Sequence, residues 1–435
     1  MELYIHIPFC VRKCKYCDFL SFGGFGCDAD REHHSLSDAY IDVLCGEIDG
    51  LRKKKLKIST VFIGGGTPSV LDETETEKLL KTVSSCIKSR NFNSNEETEF
   101  TVECNPGTLT LEKLLLYKKY CVNRLSIGLQ STDNEILFKL GRIHTFEEFL
   151  ENFELARKTG FKNINVDLIS AVPGQSLENW TETLKKTAEL GPEHISAYSL
   201  ILEEGTPLYE MYMRNPASLR LPDEDTERQM YYVTEKILAG YGYKRYEISN
   251  YAKKGFECRH NSGYWTGEEY IGLGLGASSY LSSENLNILI PEGNKQDNDV
   301  KDIKDAKNIM KSNISDISKI KIIDDINNID KKNMFRIKSI ESMEKYIDGK
   351  SSRYYIEETL DKNAQMSEFC ILGLRMCDGI SLKEFKRRFG QDIYDRFGNI
   401  IRKFTEAGLL EKKEERICFT LKGLDLSNTV LSEFI

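Results

Sequence analysis

Three cysteines near the start of the chain, Cys10, Cys14 and Cys17, are spaced Cys-x-x-x-Cys-x-x-Cys directly after the extended run Leu3 to Ile7. Thiolates are soft, strongly donating ligands, and three of them on one loop can wrap three corners of a 4Fe-4S cube. The fourth iron is then left without a protein ligand. That open corner can chelate the amino and carboxylate groups of S-adenosylmethionine and set its sulfonium beside the cluster for one-electron reduction, a radical chemistry that belongs to the cofactors. The competing reading is a tetrahedral zinc site completed by His6 or Cys27, or three unrelated core thiols.

Residues able to hold such a cofactor recur at regular intervals. Candidate strands at Leu3–Ile7, Thr60–Ile63, Glu99–Glu103, Arg124–Leu129, Asn163–Ile169 and His194–Leu200 alternate with helical patterns at 36–51, 75–87, 111–120, 146–158 and 177–190. Strands joined by helical crossovers form a parallel sheet. The unusual polar and glycine residues fall just after the strands: Gly64-Gly65-Gly66-Thr67-Pro68, Glu103-Cys104-Asn105-Pro106, Gln130 and Asp167. A barrel gathers its C-terminal strand ends at one mouth, so the pattern predicts a partial barrel rather than an open sheet. Glycines there let a ligand approach the backbone, and Glu103, Gln130, Arg142 and Asp167 suit a nucleoside or a carboxylate.

The predicted organisation is α/β: a (β/α)6 partial barrel over residues 1–282, a low-complexity insertion over 283–334 expected to be mobile and free of catalytic residues, and a smaller helical, winged-helix-like domain over 335–435. Gly272-Leu-Gly-Leu-Gly276 follows no clear strand and reads as close-packed backbone. His33 and His34 sit in a polar stretch without ligand partners, and Cys370 and Cys377 read as core.

With 435 residues and 40% hydrophobic content the chain can bury two cores, and its net charge of −8 argues against general nucleic-acid binding. The twelve cysteines read as thiols and metal ligands of a reducing compartment. No signal peptide or apolar span is visible, so the expected location is the cytoplasm, with any membrane contact peripheral, at the inner face.

The run Leu3-Tyr-Ile-His-Ile-Pro-Phe-Cys10-x-x-x-Cys14-x-Tyr16-Cys17-Asp-Phe19 resembles the radical-SAM family of oxygen-independent coproporphyrinogen III oxidases and their haem-chaperone relatives of the HemW type. Supporting matches are Gly64-Gly-Gly-Thr-Pro-Ser69, Glu103-x-Asn-Pro106, Ser126-x-Gly-x-Gln-Ser131, Gly141-Arg-x-His144, Asp167-Leu-Ile169 and Pro173-Gly-Gln175. The resemblance implies that Tyr4, Gly65 and Glu103 face the cluster-bound S-adenosylmethionine, and that Tyr16, Gly66, Thr67, Gln130, Arg142 and Asp167 face a second position. It separates two branches. The oxidases carry an N-terminal extension and a further Cys two residues after the third ligand, whereas here Cys17 is followed by Asp18-Phe19. His260-Asn261-x-x-Tyr264-Trp265 is similar to the motif assigned to haem handling in the chaperone branch, with imidazole as the axial ligand and the aromatics stacking on the macrocycle. The alternative is that these aromatics pack the barrel floor with His260 hydrogen-bonded. The resemblance thus implies a chaperone that binds haem and delivers it to haem proteins, membrane-bound respiratory enzymes among them, with a homodimer allowed. The rival is oxidative decarboxylation of coproporphyrinogen III propionates.

Overall fold

A computed structural model describes residues 1–26, 31–54, 56–88, 97–290, 332–350 and 352–435. Most of the predicted insertion, residues 291–331, lies outside the described residues, as does Cys27.

Six parallel strands, β1 (Glu2–Ile7), β2 (Thr60–Gly65), β3 (Glu99–Cys104), β4 (Arg124–Gln130), β5 (Ile164–Ser170) and β6 (His194–Ser199), pair in sequence order. Helices α1 (Arg31–Lys54), α2 (Glu73–Lys88), α3 (Leu111–Lys119), α4 (Asn134–Leu140), α5 (Phe146–Lys158) and α6 (Leu177–Glu189) carry the crossovers. Each strand alternates. Leu3, Ile5, Val61, Ile63, Phe100, Val102, Leu125, Ile127, Val166 and Leu168 are buried under the helices in one hydrophobic cluster. Their neighbours Tyr4, Phe62, Glu103, Arg124, Ser126, Asn165, Asp167, Ser196 and Tyr198 line cavities inside the curve. Side chains point to opposite faces at every second strand residue, so a two-residue period separates a dry outer layer from a polar lumen. A barrel interior is ordinarily filled by branched apolar side chains; here it is hollow and polar, which is what a cofactor needs.

Local signals set the helix starts. Thr145 and Glu148 form a reciprocal capping box at α5, and Asp133 accepts from the N–H groups of Glu135 and Ile136 at α4. His33 and His34 sit on the first turn of α1 rather than in a loop, with the His33 ring edge-on to Phe25 at 4.9 Å.

After β6 come α7 (Pro207–Arg214), α8 (Pro216–Leu219), α9 (Glu224–Gly240), β7 (Lys244–Arg245), β8 (Asn250–Ala252), α10 (Arg259–Thr266), β9 (Tyr270–Leu273), β10 (Ser278–Ser282), β11 (Met334–Ser339) and β12 (Tyr354–Leu360). The sheet has twelve strands in the order β12-β11-β10-β9-β1-β2-β3-β4-β5-β6-β8-β7. The glycine run 272–276 is a close-packing device: a Cβ on Gly272 would sit 2.1 Å from the Ser278 carbonyl oxygen, and Gly274, at φ +98°, lies against the Tyr40 hydroxyl and His6. Where the chain leaves β10 and returns to β11, Ser283 N donates to Asn333 O at 3.3 Å.

A second core gathers Met366, Cys370, Leu374, Phe385, Phe389, Phe397, Ile401 and Phe404, from helices 362–373, 382–389 and 393–406, with a three-stranded sheet built on the 410–413/416–419 hairpin. Cys370 is core, as expected; Cys377 sits at the seam, its N–H donating to Tyr246 O at 2.9 Å. Among the described residues, no helix is long and apolar enough to cross a membrane.

Candidate functional site

The loop after β1 is pinned before it reaches the thiols. Cys10 N donates to Phe22 O, Phe22 N to Pro8 O and Phe25 N to Cys10 O, while Phe9 packs on Phe25 and Tyr40 at 4.3 and 5.2 Å. Further on, Lys15 N donates to Leu140 O and Lys15 O accepts from Leu208 N. The backbone of a small, otherwise irregular loop is thus fixed from two sides. Cys10, Cys14 and Cys17 all face one cavity of about 410 Å³ at the barrel mouth, which Gly65, Gly66, Thr67, Glu103, Asn105 and Arg142 also wall.

Of the two candidate fourth ligands for a zinc ion, Cys27 lies outside the described residues. Among the described residues no three His, Cys, Asp or Glu side chains converge on a single point, as a mononuclear tetrahedral ion requires, whereas a cube presents separate irons to spread thiolates. His6 is committed elsewhere, with Nε2 bonded to Leu20 O at 2.8 Å and Nδ1 to Tyr4 Oη at 2.9 Å. Burial pushes the Cys10 thiol up and that of Cys17 up to about 11, so metal uptake must displace protons. Two donors already meet sulfur: Thr67 Oγ1 reaches Cys10 Sγ and Arg142 Nη1 reaches Cys14 Sγ, each at 3.5 Å.

The glycines after β2 are required by close approach. A Cβ on Gly65, at φ +110°, would lie 2.4 Å from the His6 ring, and one on Gly66 would lie 2.7 Å from Phe9 O. Gly65 N donates to Glu103 Oε2 at 3.0 Å, and burial raises Glu103 to about 8, so its carboxyl is largely protonated at neutral pH. Arg142 is held by Asn105 Oδ1 at 2.5 Å and Gly128 O at 2.9 Å, while Asn105 Nδ2 donates to Thr67 Oγ1 at 2.7 Å. Gln130 adopts φ +72° at a register shift between β4 and β5, a conformation that turns it into the mouth beside Tyr16. Asp167 accepts from Ser126 Oγ and Asn165 Nδ2, both at 2.9 Å.

A second cavity, also about 410 Å³, lies deeper in the lumen and shares Phe19, Gly65, Glu103, Ser126, Asp167 and Tyr198 with the first. Tyr4 lines this lower space rather than the mouth, as do Arg124, His260, Asn261 and Tyr264. Helix α10 forms its floor. Glu99, at the start of β3, accepts from the N–H groups of Arg259 and His260 at 3.0 Å each, and a carboxylate there complements a helix N-terminus. His260 is 1% exposed, with Nδ1 bonded to Thr60 Oγ1 at 2.8 Å, Nε2 to Tyr264 Oη at 2.9 Å and its ring stacked on Phe62 at 5.1 Å. Burial lowers its pKa to about 3, so the ring is neutral. Trp265 turns away, its ring under the Arg375 guanidinium at 4.4 Å, and so ties the floor to the C-terminal unit.

Sequence reasoning gave no role to Asn105, which bridges Thr67 to Arg142, and did not single out Arg124 or Tyr198. The two-residue period of β4 could have found Arg124, which shares its face with Ser126, Gly128 and Gln130. Asn105 already stood inside the Glu-x-Asn-Pro match.

A curved parallel sheet with a three-thiol loop at its mouth defines a radical-SAM protein, and a family model described as Radical SAM superfamily matches residues 4–187. A second, described as HemN C-terminal domain, matches residues 360–426. Membership in the first implies a 4Fe-4S cluster and S-adenosylmethionine. The chain is 34% identical to the heme chaperone HemW of Lactococcus lactis over 433 residues, covering 99% of this chain and 96% of the relative. It is 31% identical to that of Bacillus subtilis, covering 99% and 98%, and 37% identical to that of Escherichia coli, covering 66% and 72%. The chain belongs to the HemW heme chaperone family. The solved coproporphyrinogen III oxidase (HemN) of Escherichia coli superposes with a TM-score of 0.73 over 100% of this chain and 89% of that one, at 20% identity, a likeness of fold.

Proposed function

We propose that this chain binds haem and hands it to acceptor haem proteins, with a cluster and S-adenosylmethionine at the mouth of the same barrel. In this reading Cys10, Cys14 and Cys17 ligate a 4Fe-4S cluster and leave one iron for the cofactor. Gly65 and Glu103 receive that molecule, with Tyr4 below it. Tyr16, Gly66, Thr67, Gln130, Arg142 and Asp167 form the adjoining position. His260, Asn261 and Tyr264 receive haem, and Trp265 anchors their helix. The acceptors include membrane-bound respiratory enzymes, met by a cytoplasmic chain at the inner membrane face.

One observation carries the proposal: the cavity walled by His260, Asn261 and Tyr264 opens into the one walled by the three thiols through six shared residues. A porphyrin site and a radical cofactor site are then one connected space, the arrangement needed for the cofactor's state to govern assembly or release of cargo. To engage iron, His260 must exchange the Tyr264 hydroxyl for the metal at Nε2, keeping Thr60 at Nδ1 as the partner that fixes the ring.

Anaerobic haem titration of the cluster-loaded protein, followed by absorption, tests this. Uptake by the wild type and its loss in His260→Ala is the expected result. Absence of uptake, or unchanged binding by the variant, contradicts it. Incubation with coproporphyrinogen III, reductant and S-adenosylmethionine is expected to yield no protoporphyrinogen.

A further inference from the structure

Among the described residues, Arg124 is the sole lysine or arginine lining the lower cavity, and it is 1% exposed. Its Nε has no hydrogen-bond partner, and no described residue offers the guanidinium a hydrogen bond or an ion pair. Buried guanidinium groups almost always have acceptors, because desolvating a charge without one is costly. The nearby acids do not fill that role. Glu99 is engaged by the N–H groups of Arg259 and His260, and Asp167 by Ser126 and Asn165. They offset the charge of Arg124 from a distance and leave its planar donor edge free. Arg142, the half-buried arginine at the mouth, differs: it already donates to Asn105 Oδ1, Gly128 O and Cys14 Sγ.

We infer that Arg124 is a carboxylate anchor at the base of the lumen, taking a propionate of the haem whose iron His260 binds. The inference rests on the haem reading above and adds a second recognition point to it. Both residues line the same cavity, Arg124 from the start of β4 and His260 from α10, so a macrocycle ligated at one presents its periphery to the other. A guanidinium matches a carboxylate with two parallel N–H donors, a geometry that an ester cannot accept with equal strength.

The test compares haem with its propionate dimethyl ester on the anaerobic, cluster-loaded wild type and on Arg124→Met, Arg124→Lys and His260→Ala, each checked for folding by circular dichroism. The wild type is expected to bind haem about tenfold to a hundredfold more tightly than the diester, the range of one buried charge-assisted contact. Arg124→Met should erase that preference and Arg124→Lys keep part of it. Equal binding of haem and diester by the wild type overturns the inference. So does a preference that survives in Arg124→Met, which would assign the propionates to Arg12 and Lys13 at the mouth. In both of those cases sensitivity to His260→Ala leaves the haem reading standing. If the wild type takes up no haem, or His260→Ala binds it unchanged, the haem reading itself fails and the anchor with it.

Discussion

Glu2 and Gly263 meet at the barrel floor so closely that a Cβ on Gly263 would lie 2.0 Å from Glu2 Oε1. The first strand of the barrel and the helix that closes it are therefore packed backbone against carboxyl, with His260 one turn away and its Nδ1 4.0 Å from Glu2 Oε2. Gly263→Ala must push aside the Glu2 carboxyl, the end of a side chain that is itself buried. It is expected to destabilise the fold by about 1–3 kcal/mol, the usual effect of overpacking, and to alter any ligand binding that depends on His260. Urea unfolding gives the first quantity and haem titration the second.

Glu2 links that contact to pH. Burial raises its carboxyl to about 8 from an ordinary 4.5, so the folded chain prefers it protonated. A raised carboxyl contributes stability that is complete below 4.5 and lost as pH climbs through 8. Replacing it with Gln removes the titration while keeping the shape. Relative to wild type, Glu2→Gln should thus gain up to about 1.4 kcal/mol for each pH unit between 4.5 and 8 and show no further relative change above that window. Denaturant midpoints at pH 5, 6.5 and 8 check the sign: a difference that stays constant or narrows with pH contradicts it.

The histidine below has the opposite sign. Because burial lowers His260 to about 3, the folded state prefers it neutral, and its contribution falls away as pH drops from 6.5 toward 3. Tyr264→Phe removes the hydroxyl at Nε2 and leaves one buried ring nitrogen without its partner, at a cost of about 1–3 kcal/mol. The same change frees the nitrogen that the haem reading assigns to iron. Stability is expected to fall while haem affinity holds or rises; a variant that loses both equally contradicts the exchange of hydroxyl for metal.

At the mouth, Gly65→Ala and Gly66→Ala place a methyl against the His6 ring and the Phe9 carbonyl oxygen respectively. Gly65 is also held at positive φ, so its substitution adds backbone strain of order 1–2 kcal/mol. S-adenosylmethionine affinity, measured by equilibrium dialysis on cluster-loaded protein, should fall by at least tenfold in both variants, with iron content retained in Gly65→Ala because the atoms nearest the added methyl all belong to His6 and not to a cysteine.

How far the sequence could be read follows from which contacts are local. The six parallel strands were each legible to within a few residues, since a two-residue period of apolar side chains marks one covered face. The three thiols needed only their spacing. Helix α4 went unseen: seven residues give too few turns for periodicity, and its start depends on the Asp133 cap. Strands β7 to β12 were equally hidden, because most are short and the longer pair, β11 and β12, completes an edge formed only after the insertion. Nor could the sequence place α10 on the barrel floor, which is decided by Glu99, Thr60 and Glu2 from strands far away along the chain. The His260 motif could be noticed in the chain, but that its imidazole is sealed and its Trp265 faces outward required the folded lumen.

The three-thiol loop is tested most directly by iron and sulfide content with electron paramagnetic resonance of anaerobically reconstituted protein, before and after S-adenosylmethionine is added. Wild type is expected to hold about four irons per chain, with a reduced-cluster spectrum that shifts when the cofactor binds. The Cys10→Ser, Cys14→Ser, Cys17→Ser triple variant should hold none. Full iron and sulfide in that variant, or a wild-type spectrum indifferent to S-adenosylmethionine, would contradict the cluster reading.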